Sequence, residues 1–394
     1  MIFEIVFWFS LFAIIHSYLI FPWVMRILSK NRKENTIVYD SGPNLPFVSI
    51  LMAVHNEETV ITEKIKSIYY TLYPLNKFEV LIGSDASTDG TNNILKVYSE
   101  NYEHFRFFPF ENRQGKPQII NRLAKEAKGE IFIITDANVM LEINTLFELV
   151  KHFKNSEIGL VDSLMKNKGT DEYGISMQEK AYISREVRIK HNESIAFGTM
   201  MGPFGGCYAV RSSLFEPIPD NFLVDDFYIN MLVFEKKKKA ISNLSAIVTE
   251  DVSNNLSEEF RRKRRIAAGN FQNLKNFSFL LWPPSPISFC LLSHKVLRWF
   301  GPVFIIAAFL SLTFLYDEIL YRYLLFGGII FLFIPIFDVL LKKLNIHIQL
   351  LRFITHFSAM NLAMLCGLFR FISGVKTNIW QPTRRNQTDG NQIK

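Results

Sequence analysis

A handful of acidic residues in this chain have the type and spacing to do chemistry. Asp136 and Asn138 flank one alanine just beyond the apolar run Ile131-Phe-Ile-Ile134. Residues i and i+2 past a buried strand can bring two oxygen ligands close together, and hard divalent cations such as Mg²⁺ and Mn²⁺ take oxygen from protein and from substrate phosphates. An Asx turn capping the next helix accounts for the same spelling. The run Phe78-Glu-Val-Leu-Ile82 is ended by Gly83-Ser-Asp85, and Asp85 is placed to accept a hydrogen bond from a base N–H. Asp225-Asp226 is a like-charge pair, which raises one pKa and gives a candidate general base; a plain helix start explains it too. Arg261-Arg-Lys-Arg-Arg265 reads either as a solvated or lipid-facing basic run or as a diphosphate clamp. Lys236 to Lys239 reads as solvated surface.

These residues need a scaffold, and the middle of the chain supplies one. Apolar β-rich runs begin at Phe47, Phe78, Phe105 and Ile131, and helical stretches are expected from Asn56 to Thr71, Thr91 to Ser99 and Pro117 to Lys128. Short buried strands separated by helices predict an α/β fold with a mostly parallel sheet covered on both faces. Ligands bind such sheets beyond the carboxyl ends of the strands. His55, Asn56, Glu57, Asp85, Asp136 and Asn138 all fall there. No GxGxxG follows a strand, and GxxxxGK[ST] and HExxH are absent, which removes the dinucleotide, P-loop and zincin readings.

Both ends are apolar. The 394 residues are 49% hydrophobic and 21% charged, with net charge +7, which excludes a disordered chain and argues against a wholly soluble one. Residues 5–25 are long enough to cross about 30 Å of hydrocarbon. Arg26, Lys30, Arg32 and Lys33 follow, placing the next segment in the cytoplasm. No cleavage signature follows the run, so it reads as an uncleaved anchor. Residues 299–316 and 323–341 are two further spans, and 353–369 is a fourth, shorter candidate. The stretch 277–292 is interrupted by Pro283, Pro284 and Pro286 and reads as an interfacial segment. Three scattered cysteines offer neither a disulfide framework nor a CxxC site.

Taken in order, these pieces resemble a membrane-embedded family 2 glycosyltransferase of the cellulose-synthase and hyaluronan-synthase type. The stretches carrying the resemblance are Val48-Ser-Ile-Leu-Met-Ala-Val-His-Asn-Glu-Glu58, Ser84-Asp-Ala-Ser-Thr-Asp-Gly-Thr91, Gly115-Lys116 with Asn121, and Thr135-Asp-Ala-Asn138. Gly205-Gly-Cys-Tyr-Ala-Val-Arg211, Asp225-Asp226 and Arg262-Lys-Arg-Arg265 before Gly269 complete it. Together they span roughly residues 47–275. The resemblance implies a GT-A-type, Rossmann-like sheet inserted between transmembrane helices. It also implies inverting transfer from a nucleotide-diphosphate sugar, a UDP-sugar by expectation, to a saccharide or lipid-linked acceptor in cell-surface polysaccharide synthesis.

Carried across residue by residue, the resemblance puts His55, Glu57, Asp85 and Lys116 with the donor. Asp136 and Asn138 take the metal positions for Mg²⁺ or Mn²⁺, Asp226 is the base with Asp225 beside it, and Arg262 and Arg265 meet the diphosphate. Asn138 stands where the family has a second aspartate. Arg262 and Ile266 replace the glutamine and tryptophan of the QxxRW motif, and loss of that tryptophan platform argues against long-chain processive synthesis. The tail Thr377-Asn-Ile-Trp380-Gln-Pro-Thr-Arg384 resembles a gating-loop motif. The organisation expected is a membrane helix at 1–28, a cytoplasmic catalytic domain at 44–275, an interfacial segment at 277–298, two or three membrane helices at 299–374 and a tail at 375–394. Partners are the donor, the acceptor and membrane lipid, with no nucleic acid. Two rivals stand beside polysaccharide synthesis: single addition to a polyprenyl-phosphate or lipid, and a non-catalytic membrane scaffold.

Overall fold

The computed structural model describes residues 1–168, 176–251, 256–344, 346 and 348–378. Tyr173 and the tail motif from residue 379 onward, including Trp380, lie outside the described residues. The chain forms two compact units, Met1–Ile27 with Thr170–Arg185 and Ser253–Gly374, and Leu28–Gly169 with Glu186–Val252 and Val375–Lys394.

The second unit is built on one eight-stranded sheet. Its strands are β1 (Val48–Val54), β2 (Phe78–Asp85), β3 (Phe105–Phe110), β4 (Ile131–Thr135), β5 (Met140–Leu141), β6 (Ile158–Lys168), β7 (Cys207–Arg211) and β8 (Lys239–Asp251). The order is β3-β2-β1-β4-β7-β6-β8-β5, with four parallel pairings and three antiparallel ones. The expected α/β class with a mostly parallel sheet therefore holds. β1, β2 and β4 are buried along their whole length, as helices on both faces require. Their register (Val48 opposite Phe78 and Ile131) brings the residues at their carboxyl ends, His55, Asp85 and Asp136, to one rim.

At the opposite rim the buried Glu79 closes the sheet. It accepts hydrogen bonds from Ser49 Oγ (2.6 Å), the Lys128 amide (2.6 Å) and Arg106 (2.9 Å), while the Gly129 amide donates to Ser49 Oγ (2.8 Å). A buried carboxylate is tolerated only when so fully partnered.

One expected helix differs. The stretch from Asn56 does not open a helix; the helix there is Ile61–Tyr69, and Asn56 has φ +53°. The reason is local. Ser87 Oγ, Thr91 Oγ1 and Asp89 Oδ2 accept from the amides of Asn56, Glu57 and Glu58 (3.1, 2.9 and 3.1 Å), so these three amides are bound to the loop after β2.

In the first unit, Ile2–Ser29, Ile319–Lys343 and Gln349–Ile372 are long and apolar enough to cross a membrane. Pro286–Trp299 and Gly301–Phe314 form a pair bent by 61° that would count as a fourth. The helical material there begins at Pro286, earlier than the expected span at 299. The Phe7, Leu312, Tyr321 and Leu325 side chains form a buried cluster joining the first helix to the later ones. The helix Leu256–Asn276, which carries Arg261 to Arg265, was expected within the 44–275 domain but belongs to this unit. It lies against Gln349–Ile372 at Gly367, where any side chain would collide with Ala267 Cβ and the Arg264 carbonyl. Small residues permit that approach, as in membrane helix pairs.

Glu79→Ala removes the acceptor of three hydrogen bonds. Thermal unfolding of the detergent-solubilised protein should show a loss of about 1–3 kcal/mol.

Candidate active site

Lys116 is the hub of the polar rim. It is the first residue of the helix Lys116–Glu126, and it follows Gly115, whose φ of +86° favours glycine. A side chain at 115 would also collide with Asn378, a buried residue of the segment after the last helix. The Lys116 ammonium donates to Asp136 Oδ1 (2.7 Å), reaches the Gly205 carbonyl (3.4 Å) and lies 3.7 Å from Asp225 Oδ2. Burial opposes its charge, but the Asp136 and Asp225 carboxylates outweigh burial and hold its pKa above the ordinary lysine range.

Asp85 lies beneath the loop that precedes Lys116. It is fully buried, and its carboxylate accepts from the Gln114 amide (2.6 Å), the Gly115 amide (3.1 Å) and Arg113 Nε (3.1 Å). Those bonds fix the loop that delivers Lys116. His55 is buried beside it, with Nδ1 2.8 Å from the Asp85 carbonyl oxygen. Burial first, and then Arg113, lowers the His55 pKa and keeps the ring neutral at pH 7. Glu57 is half-buried at the same rim. Asn121 is occupied elsewhere: its amide exchanges hydrogen bonds with the backbone of Ile218 (2.8 Å each).

The turn after β4 is held from beneath. Lys64, fully buried on the helix Ile61–Tyr69, donates to Thr135 Oγ1 (2.7 Å) and to the Val139 carbonyl, bracketing Asp136 to Asn138. Burial lowers its pKa to about 8. The Asn138 amide donates to Glu250 Oε1 (2.7 Å) on β8.

Asp225 and Asp226 open the helix Asp225–Glu235. Burial and then the neighbouring Asp225 push Asp226 up to about 6. Gly205 faces it, and a Cβ there would strike the Asp226 carboxylate. The loop carrying Gly205 is braced by a buried ion pair. Lys190 donates to Asp162 Oδ2 (2.8 Å) and the Gly202 carbonyl (3.0 Å), and Asp162 Oδ1 accepts from the Phe204 amide (2.8 Å). Glu193 and Asn230 accept from the amides of Met201 (3.0 Å) and Gly202 (2.9 Å).

Of the expected site residues, His55, Glu57, Asp85, Lys116, Asp136, Asn138, Asp225 and Asp226 all lie in the second unit, with Lys116 joining Asp136 to Asp225. Arg262 and Arg265 lie on Leu256–Asn276 in the first unit, where Arg262 is 3.6 Å from Glu259. The sequence reading missed Arg113, Lys190 with Asp162, and Glu250. Arg113 had a detectable signal in its adjacency to Gly115-Lys116. The others are distant in sequence from what they brace.

Residues 49–218 match the family described as Glycosyl transferase family 2. They form a domain of that family. The chain is similar to a probable glycosyltransferase, YdaM, of Bacillus subtilis (25% identity, covering 57% of this chain and 56% of the relative). It is also similar to a beta-monoglucosyldiacylglycerol synthase of Nostoc sp. (33% identity, 30% and 26%). A third relative is a poly-beta-1,6-N-acetyl-D-glucosamine synthase of Staphylococcus epidermidis (25% identity, 45% and 43%). The chain thus spans little more than half of the first relative and about a quarter of the second. Among solved structures, a mannosyltransferase from Pyrobaculum calidifontis in complex with GDP-Man and Mn²⁺ superposes with TM-score 0.71 at 20% identity, covering 94% of this chain and 99% of that one. That likeness bears out the GT-A-type fold.

Whether this family 2 domain suits a divalent cation is decided by its oxygen donors. Asp136 offers a carboxylate. Asn138, with its NH₂ committed to Glu250, offers a carbonyl oxygen. Among the described residues no group of three His, Cys, Asp or Glu could hold an ion unaided. Two protein oxygens suit Mg²⁺ or Mn²⁺ that enters with substrate phosphates, the usual arrangement for such ions.

On the reading of Asp226 as a reacting group, Gly205→Ala should leave nucleotide affinity within about twofold and cut donor turnover on the order of 100-fold, because about 1 Å of misplacement at such a group has that effect. Titration with UDP and GDP, beside a rate measurement on the same preparation, checks both.

Proposed function

We propose that this chain is an inverting glycosyltransferase moving a sugar from a nucleotide-diphosphate donor, a UDP-sugar by expectation, to a saccharide or lipid-linked acceptor in cell-surface polysaccharide synthesis. The observation that carries the reading is the Lys116 ammonium joining Asp136 and Asp225 at the carboxyl ends of the strands, one residue from Asp226. The activities for which two relatives are named, a glycolipid synthase and a polysaccharide synthase, support both acceptor classes. Ile266 in place of an aromatic platform favours the second reading, single addition to a polyprenyl-phosphate or lipid. A non-catalytic scaffold has no physical need of an adjacent carboxylate pair with the Asp226 pKa raised.

In this reading His55, Glu57 and the Asp85-braced loop seat the nucleoside end of the donor, and Lys116 takes charge on the diphosphate. Asp136 and Asn138 would hold the divalent cation, which when bound supplies further positive charge to the leaving group. Asp226 accepts the proton of the acceptor hydroxyl as that oxygen bonds to the anomeric carbon. The bond from that carbon to the diphosphate breaks on the opposite face, so configuration inverts. The nucleoside diphosphate leaves with the electron pair, and its charge is stabilised by Lys116. The apolar helices anchor the chain in a membrane with the catalytic domain in the cytoplasm.

Asp226→Asn should abolish transfer, with donor nucleotide still bound at wild-type affinity. Membranes carrying the variant, incubated with labelled UDP- and GDP-sugars, provide the assay; full turnover would reject the base assignment. Because the base must be ionised, the rate should fall as pH drops through about 6. An acid limb near pH 4 in the pH–rate profile would contradict the raised pKa.

A further inference from the structure

Position 138 is an asparagine where the resemblance places a second aspartate, and the fold sets a carboxylate, Glu250, against it. β5 runs antiparallel to β8 with Met140 opposite Thr249 and Leu141 opposite Val248. Continuing that register by one residue sets Glu250 opposite Val139, the neighbour of Asn138. The contact is made through side chains, Asn138 Nδ2 to Glu250 Oε1 at 2.7 Å. A carboxylate can only accept when ionised, so it selects the amide NH₂ and excludes the flipped amide, which would set oxygen against oxygen. The Asn138 carbonyl oxygen is thereby left facing away from Glu250. Lys64 fixes the backbone of the same turn through Thr135 and Val139, so neither the main chain nor the amide is left to choose its own orientation.

We infer that Glu250 is a positioning residue for the divalent cation: it turns the Asn138 carbonyl into the second protein ligand and supplies, one hydrogen bond further out, the negative charge that an aspartate at 138 would have carried. Partners of this kind orient metal ligands and commonly change affinity 10- to 100-fold when removed. The inference rests on the reading of Asp136 and Asn138 as the cation's holders. It has a consequence that simple loss of a carboxylate does not share. Asn138→Asp alone would set two carboxylates at hydrogen-bond distance, a repulsion relieved only by protonation or by one swinging away. Asn138→Asp with Glu250→Gln restores a donor–acceptor pair and moves the charge to 138.

The test measures Mn²⁺ bound to the full-length protein in detergent, by the loss of the free Mn²⁺ signal in electron paramagnetic resonance, with Mn²⁺ alone and with UDP or GDP. Glu250→Ala should weaken nucleotide-dependent Mn²⁺ binding about 10-fold or more, with metal-free nucleotide affinity unchanged. Glu250→Gln, which keeps the volume and fold, should fall between Ala and wild type. Asn138→Asp should gain no affinity, whereas Asn138→Asp/Glu250→Gln should return to wild type or tighter. Mn²⁺ affinity within twofold of wild type in both Glu250 variants, while Asp136→Asn abolishes it, would overturn the role of Glu250 alone. Unchanged binding in Asp136→Asn as well would overturn the cation reading, and the inference with it.

Discussion

One ammonium group among carboxylates organises the catalytic rim. Lys116 has burial acting against its charge and two acidic side chains acting for it, and the acidic side chains win. At an effective dielectric constant of about 20, unit charges 4 Å apart interact by about 4 kcal/mol. Asp136 is bonded at 2.7 Å and Asp225 lies at 3.7 Å, so both are close enough for that attraction to count even after solvent screening of the half-exposed Asp136. The same attraction joins the end of β4 to the start of Asp225–Glu235, two segments far apart in sequence. On the proposed reading, a diphosphate entering the site meets a cation already committed to the protein's own carboxylates, and donor binding redistributes those contacts.

Such a cluster needs rigid support, because opposed and like charges at these distances would otherwise rearrange. Each loop of the rim is supported by a buried side chain that does not reach the rim's surface. Asp85 anchors the loop before Lys116 through two amides and Arg113. Lys64 brackets the turn after β4, and Lys190 with Asp162 straps the loop at 202–204. A buried ion pair with satisfied hydrogen bonds contributes little net stability but specifies one geometry, which is the property a site needs. Burial pushes Asp162 up, and Lys190 and the Phe204 amide offset part of that.

The first unit applies a different rule. Its helices are joined by apolar clusters and by small residues such as Gly367 against Ala267, and Lys263 lies over the Tyr182 ring at 4.5 Å. The basic run from Arg261 to Arg265 therefore sits on a helix fixed by close packing, with its long side chains carried by a rigid backbone.

The amino-acid sequence by itself determined the class of structure and the chemistry on offer. Apolar runs specify β1, β2 and β4, since burial on both faces favours apolar side chains. Strand ends followed at once by Asp85, Asp136 and Asn138 mark the rim, and uncharged runs at both ends mark the membrane-length helices. Roles were decided by tertiary structure. Asp85 spells as a ligand residue, and the fold adds a second task, accepting from two backbone amides and Arg113. Asn56-Glu57-Glu58 spells as a helix start, yet side chains from the next loop capture its amides. Glu250 has no pattern to announce it, because its meaning depends on the antiparallel pairing of β5 with β8. Hydrogen-bond partners are set by which segments meet in space, and local spelling carries no record of them.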